Sequence, residues 1–262
     1  MATFNKRGYK APKEKEEKLD GNYIEDQINV DEKDSATAGV FNSLDTTANK
    51  TEEWFEKNQK AIFGILGALA LVVVGYLLYQ KFVAAPKEED AANEMFAAQQ
   101  NFQKAVDGDK AADSLFNLAL KGSEGKFGFV DIADKYSGTD AANLANYYAG
   151  ISYLNVKKYD EAIASLEKFK SDDMILSVLA EGAIGDAYAQ KNQPEKAMEY
   201  YVKASEKNKN EFTTPRFLLK AGQTALATGK KADALKYFTQ IKEQYESSSE
   251  AQNVDGLIGL AQ

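Results

Sequence analysis

The sequence predicts an all-α protein in which a single membrane-spanning helix near the N-terminus is followed by a solenoid of helical hairpins. Three observations support this prediction. Residues 61–79 read AIFGILGALALVVVGYLLY, without a charge, an amide or a proline. The chain after residue 86 is rich in Ala, Lys, Glu and Leu and lacks the alternating pattern of strands. That second part also repeats itself with a period of 35–37 residues.

The apolar run is long enough to cross a bilayer. At about 1.5 Å per helical residue, its nineteen residues approach the roughly 30 Å of the hydrocarbon core. The alternatives are a buried core helix and the apolar part of a signal peptide. Such segments are usually shorter, and a signal peptide would begin near residue 1, whereas sixty residues precede this run. We therefore predict a transmembrane helix over residues 61–83.

Two segments precede the span. Residues 1–35 are mostly charged or polar, so they are predicted to form a disordered tail. From residue 36, Val40, Phe41, Leu44 and Phe55 recur on one side of a helix. This spacing predicts an amphipathic juxtamembrane helix over residues 36–60 that runs into the span, and a loose linker is the alternative.

The distribution of basic residues predicts the orientation of the span. Residues 1–60 contain ten Lys or Arg, whereas Lys81 and Lys87 are the near ones on the other flank, followed at once by acidic residues 88–90. Because cytoplasmic flanks carry the excess of basic residues, the tail is predicted to be cytoplasmic. The C-terminal domain then lies outside the cytoplasm, which in a diderm bacterium is the periplasm.

The composition excludes several classes of function. The chain of 262 residues has no cysteine and no histidine, which removes Cys/His metal sites, thiol nucleophiles and histidine bases. Its net charge is −8, and no basic face suited to nucleic acid is visible. No glycine loop of the kind that cradles phosphate occurs. We therefore predict no catalytic residue, cofactor, metal or small-molecule substrate, and no enzymatic activity.

The repeat predicts three helix–turn–helix units over residues 141–246. Small residues let the two helices of a unit approach closely, and aromatic residues fill the remaining volume. The positions that recur in phase are Gly150, Tyr153 and Ala162 in the first unit, Gly185, Tyr188 and Ala197 in the second, and Gly222 and Ala234 in the third.

The ends of such a stack need shielding. Pro86 is predicted to end the helix that leaves the membrane, and residues 84–140 to supply a linker and divergent N-terminal helices. Residues 247–262 are predicted to form a capping helix, in which Val254, Leu257, Ile258 and Leu260 cover the last hairpin.

The order of small residue, tyrosine, alanine and aromatic residue resembles the tetratricopeptide repeat (TPR), whose period is close to 34 residues. This resemblance implies that the first helix of each unit lines a groove for an extended or helical peptide. The implied groove residues are Leu144, Tyr147, Ile151, Leu154 and Asn155, then Leu179, Gly182, Asp186, Ala189 and Gln190, then Arg216, Leu219, Gln223, Leu226 and Ala227. The alternative is that a neighbouring helix or the cap covers several of them.

The whole arrangement resembles the ancillary SecYEG translocon subunit family of single-pass TPR proteins. The similarity extends from Phe41 to the C-terminus and includes YYAGISYL at 147–154, EGAIGDAY at 181–188 and PRFLLKAG at 215–222. It implies a non-enzymatic, chaperone-like protein of the bacterial inner membrane with a periplasmic C-terminal domain. The implied partners are Sec translocon subunits, a membrane-anchored prolyl isomerase and exported clients. The alternative is an envelope scaffold for cell-wall, division or surface machinery.

The span itself offers small residues that suit packing against a partner helix. These are Gly64, Gly67, Ala68 and Gly75.

Overall fold

The computed structural model describes residues 36–108, 111–123 and 125–262, and all regular elements in these ranges are helices. The all-α prediction is therefore confirmed. The predicted disordered tail, residues 1–35, lies outside the described residues. The chain divides between Ala70 and Leu71 into two compact units.

The first long helix contains the apolar run. Helix α1 spans Ala36–Tyr79, a π-helical turn spans Gln80–Ala84, and helix α2 spans Ala85–Val106. Between Glu52 and Val106 the helix is long and apolar enough to cross a membrane: its most apolar window has a mean hydropathy of 2.6, and none of that window is buried. This supports a single membrane-anchoring helix.

The prediction that Pro86 ends the helix was wrong, because Pro86 lies in the first turn of α2. In a regular α-helix the proline ring would clash with the carbonyl of Phe82, four residues earlier. Here the preceding turn is π-helical, and the N–H of Ala85 donates to the carbonyl of Gln80, five residues earlier. The wider turn removes the clash, so the backbone stays helical and no irregular linker separates the π turn from α2.

The rest of the chain is a series of short antiparallel helices. They are α3 (Ala112–Lys121), α4 (Phe129–Lys135), α5 (Asp140–Asn155), α6 (Tyr159–Lys168), α7 (Leu176–Gln190), α8 (Pro194–Lys207), α9 (Thr214–Ala227) and α10 (Lys231–Gln244), followed by a 3₁₀ turn (Ser249–Asn253) and α11 (Val254–Ala261). Helices α5/α6, α7/α8 and α9/α10 form three hairpins that pack one after another. Helices α2, α3 and α4 close the N-terminal end around the buried side chains of Met95, Leu120, Phe129 and Ile132.

The three hairpins have the same turn. Lys157, Asn192 and Gly229 each stand seven residues after the repeated glycine and have φ of 62°, 56° and 76°. In each turn the N–H of the next residue donates to the carbonyl five residues before it, as in the bond from Lys158 to Tyr153 at 2.8 Å. This left-handed closure is the standard way to end a helix and reverse the chain. The turns therefore repeat in phase with the glycines.

The C-terminal helix α11 packs on α10 through one side. Val254 is buried and Leu257 and Ile258 are half-buried against the core of the last hairpin. Leu260, which was predicted to join them, is 62% exposed. Positions 254, 257, 258 and 261 share one helical face, and residue 260 lies off it, which explains the error.

Candidate partner-binding groove

The residues predicted to line a groove lie on α5, α7 and α9, the first helix of each hairpin. Asn155, Gln190, Arg216 and Gln223 are exposed, whereas Leu144, Tyr147, Ile151, Leu154, Asp186 and Leu219 are half-buried. The apolar residues of α5 among them pack against the buried cluster that α6 and α7 form. These apolar side chains therefore belong partly to the interface between hairpins and partly to the surface.

Gly182 was also expected in the groove, and this prediction was wrong. Gly182 is buried, and a Cβ built on it would lie 2.0 Å from Cε1 of Phe217. The residue therefore serves the close packing of α7 against α9, where the Phe217 ring of the next hairpin occupies the space.

Five of the predicted residues line one open cavity of about 460 Å³. Leu154 and Asn155 come from the end of α5, and Asp186, Ala189 and Gln190 come from α7. The other residues of its lining are Lys157, Tyr159, Tyr201 and Lys220. Because α5, α7 and α9 all contribute, the cavity crosses the three hairpins. Its volume suits a side chain or a short peptide segment.

Asp186 organises the floor of this cavity. Its Oδ1 accepts a hydrogen bond from the Tyr201 hydroxyl at 2.7 Å, and Nζ of Lys220 donates to Oδ1 at 2.5 Å and to Oδ2 at 2.8 Å. The Lys220 ammonium also lies 5.5 Å from the centre of the Tyr201 ring, within cation–π range. Burial, and then the negative charge of Asp186, raise the pKa of Tyr201 well above its ordinary value. Tyr201 therefore stays a neutral donor at physiological pH.

Tyr201 and Lys220 were not predicted as members of this site. The ring of Tyr201 fills the space beside Gly185: a Cβ on Gly185 would come within 2.6 Å of Cε1. The sequence has no local signal for its second contact, since Asp186 lies fifteen residues away on another helix. Only the packing of α8 on α7 brings the two together.

Tyr147 on α5 and Arg216 on α9 do not line this cavity. Burial, and then the neighbouring Tyr148, raise the pKa of Tyr147, while the charge of Arg216 acts in the opposite direction. The Tyr147 ring packs on Phe169 with the ring centres 5.2 Å apart.

A second cavity, of about 500 Å³, lies among α6, α7 and α8. It contains none of the predicted residues, and two of its lysines, Lys203 and Lys207, lie 3.1 and 3.0 Å from the two carboxylate oxygens of Glu181. Burial, and then the charge of Glu167, raise the pKa of Tyr200 to about 12. Because neither α5 nor α9 contributes a residue to this cavity, it does not lie along the predicted groove.

The recurrent positions of the three hairpins form matching close contacts. A Cβ on Gly150 would lie 2.5 Å from Leu166, and one on Gly222 would lie 2.4 Å from Phe238. The recurrent alanines Ala162, Ala197 and Ala234 are fully buried. Of the recurrent tyrosines, Tyr153 packs on the N-terminal core and Tyr188 stacks on Tyr200 at 5.4 Å between ring centres. Each hairpin is thus closed by the same small-against-large pairing.

No part of the chain that the structure describes packs against the small residues of the span. A Cβ on Gly64, Gly67 or Gly75 would meet nothing within 4 Å, and Ala68 is exposed.

Among the described residues no group of three or more carboxylates is placed to hold a metal ion.

Comparison with known families links one hairpin to a described repeat. Residues 182–210 match the tetratricopeptide repeat model, and this stretch covers most of α7 and all of α8. Comparisons with curated proteins and with solved structures find no significant match. The matched unit, its two structural copies and the all-helical fold together support a TPR-type protein, and repeats of this type suggest a role in protein–protein interaction.

Proposed function

We propose that this chain is a membrane-anchored, non-enzymatic TPR protein that binds a segment of a partner protein along the face of α5, α7 and α9. The observation that carries the proposal is the cavity around Asp186. It joins all three hairpins, and Leu154 supplies an apolar wall beside the polar groups of Asn155 and Gln190. Such a combination suits an extended or helical peptide.

The charges of this face favour a partner that is mainly apolar. Asp186 and Lys220 neutralise each other, so neither demands a charged group from the ligand. Arg216 is exposed and can meet a carboxylate at one end. Apolar side chains of the partner would contact Leu154 and Leu219, and its backbone would exchange hydrogen bonds with the exposed amides.

We further propose that the partner complex is the Sec translocon. The chain would be a single-pass protein of the bacterial inner membrane with a cytoplasmic N-terminus and a periplasmic repeat domain. Its partners would be translocon subunits, a membrane-anchored prolyl isomerase and exported clients. The support is the resemblance of the arrangement and of the stretches 147–154, 181–188 and 215–222 to the ancillary translocon subunits. An anchor close to the channel exit would raise the groove's effective concentration for emerging chains to the millimolar range, so weak contacts would suffice.

Co-purification from gently solubilised membranes tests both levels of the proposal. The wild-type chain should recover translocon subunits and the prolyl isomerase. Recovery of wall-synthesis or division components without translocon subunits would refute the translocon assignment and favour an envelope scaffold.

A groove variant separates anchoring from client binding. Asn155→Glu combined with Gln190→Glu adds two charges to exposed positions of the cavity. We expect this variant to keep its helical circular dichroism and its membrane location but to lose most cross-linking to clients. The control, Lys231→Glu, changes an exposed residue of α10 outside the cavity and should behave as wild type. Equal client cross-linking in all three proteins would refute the groove.

A further inference from the structure

One edge of the repeat domain exposes large apolar side chains that belong to no described core. Met174 is 66% exposed, Ile175 36% and Phe212 69%. They lie in two segments that lead into helices, residues 170–176 into α7 and residues 208–214 into α9. We call these two loops, with residues 137–141 before α5, the loop edge. The hairpin turns at the other ends of the helices hold no exposed large apolar side chain in the part of the chain that the structure describes.

The two apolar loops have the same rigid turn. Oδ1 of Asp173 accepts hydrogen bonds from the N–H groups of Ile175 and Leu176 at 2.8 and 2.7 Å. Thirty-seven residues later, Oδ1 of Asn210 accepts the equivalent bonds from Phe212 and Thr213 at 2.9 and 2.7 Å. Asx turns of this kind hold the backbone in one conformation. Ile175 and Phe212 therefore stand at equivalent positions, and little entropy remains to be lost when a partner contacts them.

Hydrogen bonds connect the three segments of the loop edge. Asn143, in the first turn of α5, donates to the carbonyl of Lys170 at 2.5 Å and accepts from its N–H at 2.9 Å. Nδ2 of Asn208 then donates to the carbonyl of Met174 at 3.1 Å. The starts of α5, α7 and α9 therefore lie side by side along one edge.

The same edge is bonded to the start of α2, just beyond the apolar run. The Glu88 carboxylate accepts hydrogen bonds from the N–H groups of Asp140 and Ala141 at 2.6 and 2.8 Å, and Nζ of Lys87 donates to the carbonyl of Ser137 at 2.7 Å. At 1.5 Å per residue, Glu88 stands only about 8 Å along the helix from Val83. The loop edge therefore begins next to the point where the predicted span ends.

We propose that the loop edge rests on the bilayer surface, with Met174, Ile175 and Phe212 in the interfacial region. This inference depends on the membrane anchoring proposed above. The occupant of the patch is lipid because the edge is continuous, through Glu88 and Lys87, with the segment that enters the membrane. Since the domain is already tethered there, even weak insertion of three side chains orients it.

The charge of the loops specifies the type of lipid contact. Residues 170–176 and 208–214 together carry two lysines and three carboxylates, so they have no net attraction for anionic headgroups. Contact should therefore form on phosphatidylcholine alone and should withstand salt, because apolar insertion is not screened.

Fluorescence quenching on the full chain tests the contact. The protein has no cysteine, so Glu211→Cys, next to Phe212, and Glu195→Cys, in the first turn of α8 at the opposite ends of the helices, each accept a single environment-sensitive dye. The chain is reconstituted in phosphatidylcholine vesicles that contain lipid spin-labelled near the headgroup. We expect the dye at 211 to be quenched several-fold more strongly than the dye at 195, at both low and high salt.

Variants in the apolar loops supply the matched control. Met174→Asp with Phe212→Asp should reduce quenching at 211 to the level at 195, whereas Met174→Leu with Phe212→Leu should retain it. The two labelled chains without further substitution should float with the vesicles. If they float but are quenched equally at positions 211 and 195, the lipid contact is overturned and the anchor is not. The apolar patch would then be assigned to a protein partner. A wild-type chain that does not float with the vesicles would overturn the anchor, and the lipid contact with it.

Discussion

The hydroxyl of Tyr201 lies 2.7 Å from Oδ1 of Asp186, and the ring of the same tyrosine fills the space that Gly185 leaves open. One side chain therefore closes the second hairpin and also shapes the floor of the candidate groove. The fold and the site are coupled at this position.

Tyr201→Phe should lower stability in a manner that depends on pH. The loss of a hydrogen bond to a charged group is expected to cost about 1.5–3 kcal/mol at pH 8. Burial raises the pKa of Tyr201 in the folded protein, whereas the unfolded chain releases this proton near pH 10. The stability that depends on the neutral hydroxyl is therefore complete below pH 10 and falls as the pH rises further. Urea unfolding of both proteins at pH 8 and pH 11 should show the difference between them shrinking, and a constant difference would contradict this account.

Gly185→Ala should destabilise the domain, although alanine is the better helix former. The added methyl would lie 2.6 Å from Cε1 of Tyr201 and 3.2 Å from the carbonyl oxygen of Ala197, and overpacking of this kind costs about 1–3 kcal/mol. In Gly256→Ala the new methyl meets nothing within 4 Å, so that variant should gain about 0.5–1 kcal/mol from helix propensity. Thermal unfolding compares the two, and a stabilised Gly185→Ala would show that α8 can move away.

Asp173→Ala should destabilise the α6–α7 connection near neutral pH. Hydrogen bonds from the backbone N–H groups of Leu176 and Ile175 hold the pKa of Asp173 below its usual value of 3.8. Its contribution is therefore present above about pH 4 and disappears as the pH falls through the lowered folded-state pKa. The difference in unfolding free energy between Asp173→Ala and wild type should vanish in strong acid. Asp172→Ala, at the exposed neighbouring residue, should have little effect at either pH.

The orientation of the chain can be tested with protease. If the repeat domain is periplasmic, protease added to cells with a permeabilised outer membrane should digest residues 88–262 and leave the N-terminal tail intact. Digestion of the tail alone would show that the chain has the opposite topology.

Features that depend on local pattern could be predicted from the sequence. The recurrence of Gly150, Gly185 and Gly222 indicated all-helical hairpins, because a small residue at a fixed interval reports a close helix–helix contact. The long apolar run indicated a candidate span for a similar reason, since length and composition are local properties.

Features that depend on contacts between hairpins could not be predicted in the same way. The repeat pattern describes contacts within one hairpin, and within its own hairpin Gly182 resembles a surface position. The ring that covers it belongs to Phe217 of the next hairpin. The meeting of Asp186 with Lys220 joins residues thirty-four positions apart. The helix end predicted at Pro86 was wrong for another reason. A shift of one residue in the hydrogen-bond register lets the helix continue through the proline, and the composition of the sequence does not reveal such a shift.

The π turn and α2 connect the predicted span to the repeat domain without a break in the helix. A spanning helix tilts when its apolar length exceeds the thickness of the bilayer, and α2 passes that tilt on because no irregular segment precedes it. Over its twenty-two residues, about 33 Å of helix, a tilt of about 10° moves the far end by about 6 Å. Membrane thickness would then become a variable that sets where the groove stands.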